Sequence, residues 1–178
     1  GISPVTIGDQ ALAKMKRRKL PAPTWFHDLG LIDGYWSEGG TRAYHHTAPV
    51  NSIFALTEAL RLLKQEGLDR AWQRHQENSQ RLVSGLRHLG LDMLVQDPAV
   101  RLPQLNAVRL PVDIDEAAIR SRLLNEKNLE IGAGLGPLAG KVWRIGLMGY
   151  SSRPENVSFC LDALGSELGG AIQTAVGE

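Results

Sequence analysis

Two hydroxyl side chains lie just before a predicted helix, where they could hold a phosphate group. Tyr44 and Thr47 belong to the run 44–49, and a helical pattern begins a few residues later. The unpaired N–H groups at the start of a helix, together with two hydroxyls, suit such an anion. Thr47 could instead only cap the helix and Tyr44 only pack, and the sequence slightly favours that structural interpretation.

One arginine occupies a predicted central strand and needs an anionic partner there. Alternation over residues 142–148 places three large apolar side chains on one face and Arg144 on the other. A guanidinium among apolar neighbours is costly to bury without an anion, and its planar fork matches a carboxylate. Glu130 or Asp92 could supply that carboxylate internally. A bound ligand could supply it equally well, so both interpretations stay open.

Two other features look like binding motifs but favour different interpretations. Adjacent residues such as His45 and His46 point in different directions in regular structure, and no acidic or histidine partner stands at ligand spacing. No metal site is therefore predicted. The glycine-rich stretch 132–137 is followed by a strand pattern, which excludes a phosphate-binding loop or a dinucleotide fingerprint. A hairpin that brings backbone close to a site is predicted instead.

Hydrophobic periodicity predicts a series of helices and short strands that would position these residues. The predicted helices cover about 9–18, 25–36, 51–66, 69–89 and 115–128, and a last helix begins at Ser152 or Pro154. The predicted strands are 2–7, 91–95, 105–111, 129–131 and 142–148. From residue 90 onward, this order indicates a small α+β lobe with helices on one face of a mostly antiparallel sheet.

Composition and charge narrow the classes of function. The 178 residues are 43% hydrophobic and carry a net charge of +1, so no overall field recruits nucleic acid or an acidic membrane. No run approaches the roughly 18 to 20 apolar residues of a membrane-spanning helix. The single cysteine, Cys160, excludes an internal disulfide, and its amphipathic context predicts a buried, unreactive thiol. We expect a reducing compartment rather than secretion: the cytoplasm, or the matrix of a peroxisome or mitochondrion.

Four motifs occur in the same order in one enzyme family. They are residues 44–49, the stretch 65–75, residues 97–103, and the run 134–146 with its Lys-Val-Trp-Arg-Ile-Gly strand. On these motifs the sequence resembles the C-terminal part of alanine–glyoxylate aminotransferases, which are class V aminotransferases of PLP fold type I. The resemblance implies an α/β fold divided into the end of a large PLP-binding domain (1–50), linking helices (51–89) and a small α+β domain (90–178).

The resemblance also implies roles for individual residues. Tyr44 and Thr47 match the positions that bind the phosphate of pyridoxal 5'-phosphate in the partner subunit, and Arg144 matches the arginine that holds the substrate α-carboxylate. The implied enzyme is a homodimer that moves an amino group from alanine or serine to glyoxylate by a ping-pong mechanism. The implied partners are thus small amino and oxo acids.

The lysine that forms a Schiff base with the cofactor has no counterpart in this sequence. In the family it precedes a Pro-Pro-Gly turn, and Gly1 matches the end of that turn. We therefore expect the catalytic lysine to lie outside this chain, with no catalytic residue within it. An alternative is a non-catalytic C-terminal fragment that serves packing and dimerisation only. A further alternative is a regulatory domain that binds amino acids through Arg144.

Overall fold

The computed structural model describes residues 2–36, 43–112 and 114–175. These residues form two compact units, Gly1–Gln65 and Glu66–Glu178. The domain division at residues 50 and 89 that the sequence suggests stays a prediction. In the described parts of the chain, no helix is both long and apolar enough to cross a lipid bilayer.

The first unit is helical. Its helices are α1 (Asp9–Lys16), α2 (Leu29–Trp36) and α3, which spans Val50–Glu66 and so ends one residue into the second unit. Helix α2 begins later than predicted because the Asp28 carboxylate accepts the N–H of Gly30 at 2.9 Å, as an N-terminal cap does. The predicted strand at 2–7 is wrong. Residues 2–8 have no regular structure, since no described segment pairs with them.

The second unit is an antiparallel sheet covered by helices, as the sequence predicts. Its elements are α4 (Leu68–His88), β1 (Leu105–Arg109), α5 (Glu116–Lys127), β2 (Gly132–Ala133), β3 (Val142–Gly146) and α6 (Pro154–Ala175). The strand order is β1-β3-β2, and both pairings are antiparallel. Arg144 lies opposite Ala107 on one side and Gly132 on the other, so it occupies the middle of the sheet.

The core of this unit confirms the predicted faces of β3 and α6. Trp143 and Ile145 are 0% and 4% exposed, and they pack in one cluster with Leu82 of α4 and Leu164 of α6. Cys160 belongs to the same cluster, and burial raises the pKa of its thiol to about 11. The thiol therefore stays protonated at neutral pH, as expected for an unreactive buried cysteine.

Two predicted strands, 91–95 and 129–131, are wrong, because neither forms a strand in the structure. Residues 91–95 form only a single bridge, between Met93 and Val108. Residues 129–131 do not pair, and β2 begins at Gly132. Helix α5 ends at Lys127, the capping residue Asn128 adopts a left-handed conformation (φ 54°), and the side chain of Ile131 then packs into the core. The apolar residues before β2 therefore reflect burial against the core rather than sheet pairing.

Arg74 joins the start of α4 to the turn that precedes α6. Its Nη1 donates to the carbonyls of Gly149 (2.9 Å) and Ser152 (2.7 Å), and its Nε and Nη2 form a bidentate pair with Glu66 at 2.5 and 2.9 Å. On the same side, Nε2 of His75 accepts the N–H of Gly149 at 3.1 Å. The hydrogen bonds from Arg74 lower the pKa of Glu66, so this carboxylate stays charged at neutral pH.

This ion pair makes stability depend on pH in a defined direction. Because the folded-state pKa of Glu66 is depressed, the pair stabilises the protein above the unfolded-state pKa and is lost as pH falls through the folded value. Glu66→Gln should lower the free energy of unfolding at pH 7 by up to about 1 kcal/mol. In acid, the free energies of unfolding of Glu66→Gln and wild type should become more similar. Urea unfolding across pH 3 to 7 measures this change.

The exposed pair of Glu58 and Arg61 in α3 is the matched control, because both of its side chains are more than half exposed. Glu58→Gln should change stability little. An unchanged pH dependence in Glu66→Gln would contradict the role given to this pair.

Candidate active site

The two hydroxyls predicted to hold a phosphate contact each other in the first unit. The Tyr44 hydroxyl and Thr47 Oγ1 form a hydrogen bond, and Tyr44 is 72% exposed. The expectation that Thr47 caps the following helix is wrong: α3 begins at Val50, and the Pro49 carbonyl accepts the first helical bond, from Ile53 at 3.0 Å. Neither hydroxyl is used to cap this helix, so both lie exposed just before its first turn.

The histidine between them anchors this segment. His45 is 6% exposed, its Nε2 lies 3.1 Å from the Trp25 carbonyl, and its ring lies 4.0 Å from the Trp25 ring, centroid to centroid. A carbonyl only accepts, so Nε2 of His45 carries the proton. The buried imidazole therefore fixes the backbone from which the neighbouring tyrosine and threonine extend.

The two histidines do not diverge as the sequence argument assumed. Their Nδ1 atoms share a hydrogen bond because the segment is irregular, and the alternation rule holds only in regular structure. Nε2 of His46 is a buried atom with no hydrogen-bond partner in the described part of the chain. Among those described residues, no third metal-ligating side chain joins the pair.

Arg144 lies half-buried in the middle strand of the second unit. Its Nε donates to the Ala133 carbonyl at 2.7 Å, across the β2–β3 pairing. The predicted internal partners are not used: in residues 2–36, 43–112 and 114–175, no ion pair joins Arg144 to Glu130 or Asp92. Since Nε is already bonded, Nη1 and Nη2 are the two donors left to meet a carboxylate end-on.

Gly132 lies beside the guanidinium of Arg144 on the β2 side. A Cβ at Gly132 would lie 3.4 Å from Nη2 and 3.5 Å from Nε, in van der Waals contact with the guanidinium. A glycine in a strand is common where a ligand or another backbone approaches closely. The sequence predicted that backbone would come close to the site at this loop. It did not identify the Ala133 carbonyl as the acceptor, because any residue type offers a backbone carbonyl.

The opposite face of β3 is held by a partly buried polar contact. Trp143 Nε1 donates to Glu116 Oε2 at 3.3 Å, and Arg120 Nε donates to the same oxygen at 2.7 Å. The hydrogen bond from Arg120, and more weakly that from Trp143, lowers the pKa of Glu116. The charged carboxylate thus fixes the indole beneath the strand. Arg144 therefore extends from a strand whose other face is locked into the core.

The glycine-rich stretch forms the hairpin that the sequence predicts. A short 3₁₀ turn covers Gly136–Leu138, and the N–H of Gly134 donates to the Val142 carbonyl at 2.7 Å. A Cβ on Gly134 would lie 2.0 Å from the Leu138 carbonyl oxygen, so only glycine fits. This close backbone packing sets the position of the adjacent Ala133 carbonyl.

Comparison with known proteins gives consistent matches along the chain. The family described as Aminotransferase class-V matches residues 1–156. The alanine–glyoxylate aminotransferase of Rattus norvegicus is 40% identical over 165 residues, which cover 92% of this chain and 40% of that protein. The (S)-ureidoglycine–glyoxylate transaminase of Bacillus subtilis is 39% identical, with 88% of this chain and 39% of that protein covered. The chain thus spans about 40% of the length of these curated relatives.

A solved structure agrees with the sequence matches. The alanine–glyoxylate aminotransferase from Nostoc sp. superposes with a TM-score of 0.85 at 47% identity, covering 92% of this chain and 42% of that one. These similarities confirm the predicted α/β fold class of the fold-type-I PLP-dependent transferases.

The packing at Gly134 generates a test of how the arginine is held. Gly134→Ala forces a methyl group against a backbone carbonyl that cannot rotate away, so stability should fall by about 1–3 kcal/mol. Thermal unfolding measures the loss. Gly169→Ala in α6 is the control: its Cβ meets nothing within 4 Å, and helix propensity predicts a gain of up to about 1 kcal/mol. A Gly134→Ala protein as stable as wild type would show that this hairpin is not closely packed.

Proposed function

The chain belongs to the class V aminotransferase family, and on that premise we propose that it forms part of an enzyme that moves an amino group from alanine or serine to glyoxylate. The cofactor of the reaction is pyridoxal 5'-phosphate, and the mechanism is ping-pong. The observation that carries the proposal is Arg144, a half-buried guanidinium with two donors left over and no carboxylate partner in the described residues.

Arg144 suits both halves of such a reaction. Alanine, serine, glyoxylate and pyruvate all carry a carboxylate next to the carbon at which the amino group is gained or lost. An end-on fork through Nη1 and Nη2 would bind each of these acids in the same orientation. One site could then serve donor and acceptor in turn, as a ping-pong mechanism requires. The relatives named for glyoxylate support that acid as the acceptor.

The residues of the first unit fit the phosphate of the cofactor. Tyr44 and Thr47 offer two exposed hydroxyls in contact with each other, just before the 17-residue helix α3. Hydroxyl donors beside a long helix N-terminus favour a phosphate. When bound, pyridoxal 5'-phosphate supplies the carbonyl group that accepts the amino group and the ring that withdraws electrons from the reacting carbon.

We propose that the hydroxyls of one subunit bind the cofactor of the other in a homodimer. Helix α3 buries none of its residues, and Phe54 and Val50 are 70% and 53% exposed. Exposed apolar side chains of this size mark a surface that is covered in the complete assembly. The hydroxyls lie beside this surface in the sequence, which supports a site at a subunit interface.

The lysine that forms the Schiff base lies, we propose, outside this chain. All six lysines of the chain are exposed, whereas a lysine used in this way is typically desolvated. This chain then supplies the groups that hold phosphate and carboxylate, while the proton-transfer base comes from the rest of the enzyme. The chain alone would be inactive.

The carboxylate role of Arg144 is tested by substitution in the complete enzyme. Arg144→Lys keeps the charge but loses the bidentate fork, so KM for amino acid and for glyoxylate should each rise about tenfold, with a smaller change in kcat. Steady-state kinetics with each substrate varied in turn measures this. Arg109→Lys, at an exposed position of β1, is the control and should leave both KM values unchanged. Unchanged KM values in Arg144→Lys would refute the role.

The phosphate role of the hydroxyls is tested through cofactor affinity. Thr47→Val removes one hydroxyl at nearly constant volume and should weaken binding of pyridoxal 5'-phosphate about tenfold. Titration of the cofactor-free enzyme, followed by cofactor absorbance, gives the Kd. Thr57→Val is the control, because Oγ1 of Thr57 donates to the Ile53 carbonyl within its own helix at 2.8 Å. Equal affinity in both variants would remove Thr47 from the cofactor site.

A further inference from the structure

A cleft in the second unit lies between α4 and the segment 98–103, and none of Tyr44, Thr47 and Arg144 lines it. Its volume is about 330 Å³. Ser79, Gln80 and Arg87 line it from α4, and Arg101 lines it from the opposite segment. A cleft of this size holds a small molecule, and its polar lining indicates a polar one.

Arg101 is held in place without being neutralised. Its Nε donates to the Val95 carbonyl and its Nη2 to the Gln96 carbonyl, both at 2.7 Å. Carbonyl oxygens orient a guanidinium but leave its full charge, unlike a carboxylate. Nη1 has no partner in the described residues, so one donor of a preoriented cation remains for a ligand.

Arg87 adds a second unpaired cation from the other wall of the cleft. In the described part of the chain it forms no ion pair or side-chain hydrogen bond. Four other arginines of the described residues, Arg61, Arg74, Arg120 and Arg122, are each paired with a carboxylate. The carboxylate next to the segment, that of Asp97, accepts the N–H of Ala99 at 2.9 Å.

Among the residues that the structure describes, no acidic side chain lines the cleft, whereas two arginines and His88 do. A concave surface with charge of one sign concentrates the potential and favours an anion. Two guanidinium groups on facing walls match a group with several oxygen acceptors and more than one negative charge. Phosphate has that charge and geometry.

We propose that this cleft binds the phosphate group of a small phosphorylated compound, at a site separate from that of the cofactor. The proposal uses none of Tyr44, Thr47 and Arg144, so it does not depend on the transaminase function. A phosphate group bound in the cleft would bridge α4 and the segment 98–103, which precedes β1.

The test uses the complete enzyme with pyridoxal 5'-phosphate bound, so that the proposed cofactor site is already filled. Titration with glycerol 3-phosphate by calorimetry should show saturable binding, and Arg87→Gln should raise the Kd about tenfold. Arg81→Gln is the matched control: it removes the same charge from an exposed position of α4 that does not line the cleft. Its Kd should stay within about twofold of wild type.

A second measurement locates the bound group. Phenylglyoxal labels exposed arginines, and glycerol 3-phosphate should protect Arg87 and Arg101 but not Arg81, as read by peptide mass spectrometry. The proposal is overturned if no saturable binding occurs, if Arg81→Gln weakens binding as much as Arg87→Gln, or if malonate binds more tightly than the phosphate compound. The higher KM values predicted for Arg144→Lys would leave these outcomes unchanged, and so would unchanged KM values.

Discussion

The hydrogen bond from Arg144 Nε to the Ala133 carbonyl is the contact on which the site in the second unit depends. It pairs Nε with a backbone acceptor, while Nη1 and Nη2 have no partner in the described residues. A carboxylate from the protein would have neutralised the arginine, but in residues 2–36, 43–112 and 114–175 it has none. A backbone acceptor orients the cation while keeping its charge available.

Three sets of contacts in the surrounding fold support the strand that carries Arg144. Pairing with β1 and β2 fixes the backbone on both sides of Arg144. On the opposite face of the strand, Trp143 is fully buried and donates a hydrogen bond to Glu116. After the strand in the chain, Arg74 donates hydrogen bonds to the turn that leads into α6. A site on a central strand supported in this way is more precisely positioned than one on a loop.

The sequence predicted the helices and the orientation of Arg144 well, because both follow from periodicity in long or buried elements. The predictions were wrong for segments whose structure depends on whether another strand pairs with them. The first segment has strand-like residues but no described strand beside it, and residues 129–131 are apolar because Ile131 is buried rather than paired. The hydrogen bond between the hydroxyls of Tyr44 and Thr47 depends on an irregular backbone, which His45 anchors through its contact with the Trp25 carbonyl. No pattern in residue types carries that information, and the same holds for the Ala133 carbonyl.

The central claim is that Arg144 exists to bind the carboxylate of a small acid. The most direct measurement is a crystal structure of the complete enzyme with pyridoxal 5'-phosphate and bound alanine. The account predicts both carboxylate oxygens within hydrogen-bond distance of Nη1 and Nη2, with Nε still on the Ala133 carbonyl. A carboxylate bound elsewhere, with Arg144 paired to an Asp or Glu of the protein, would contradict it.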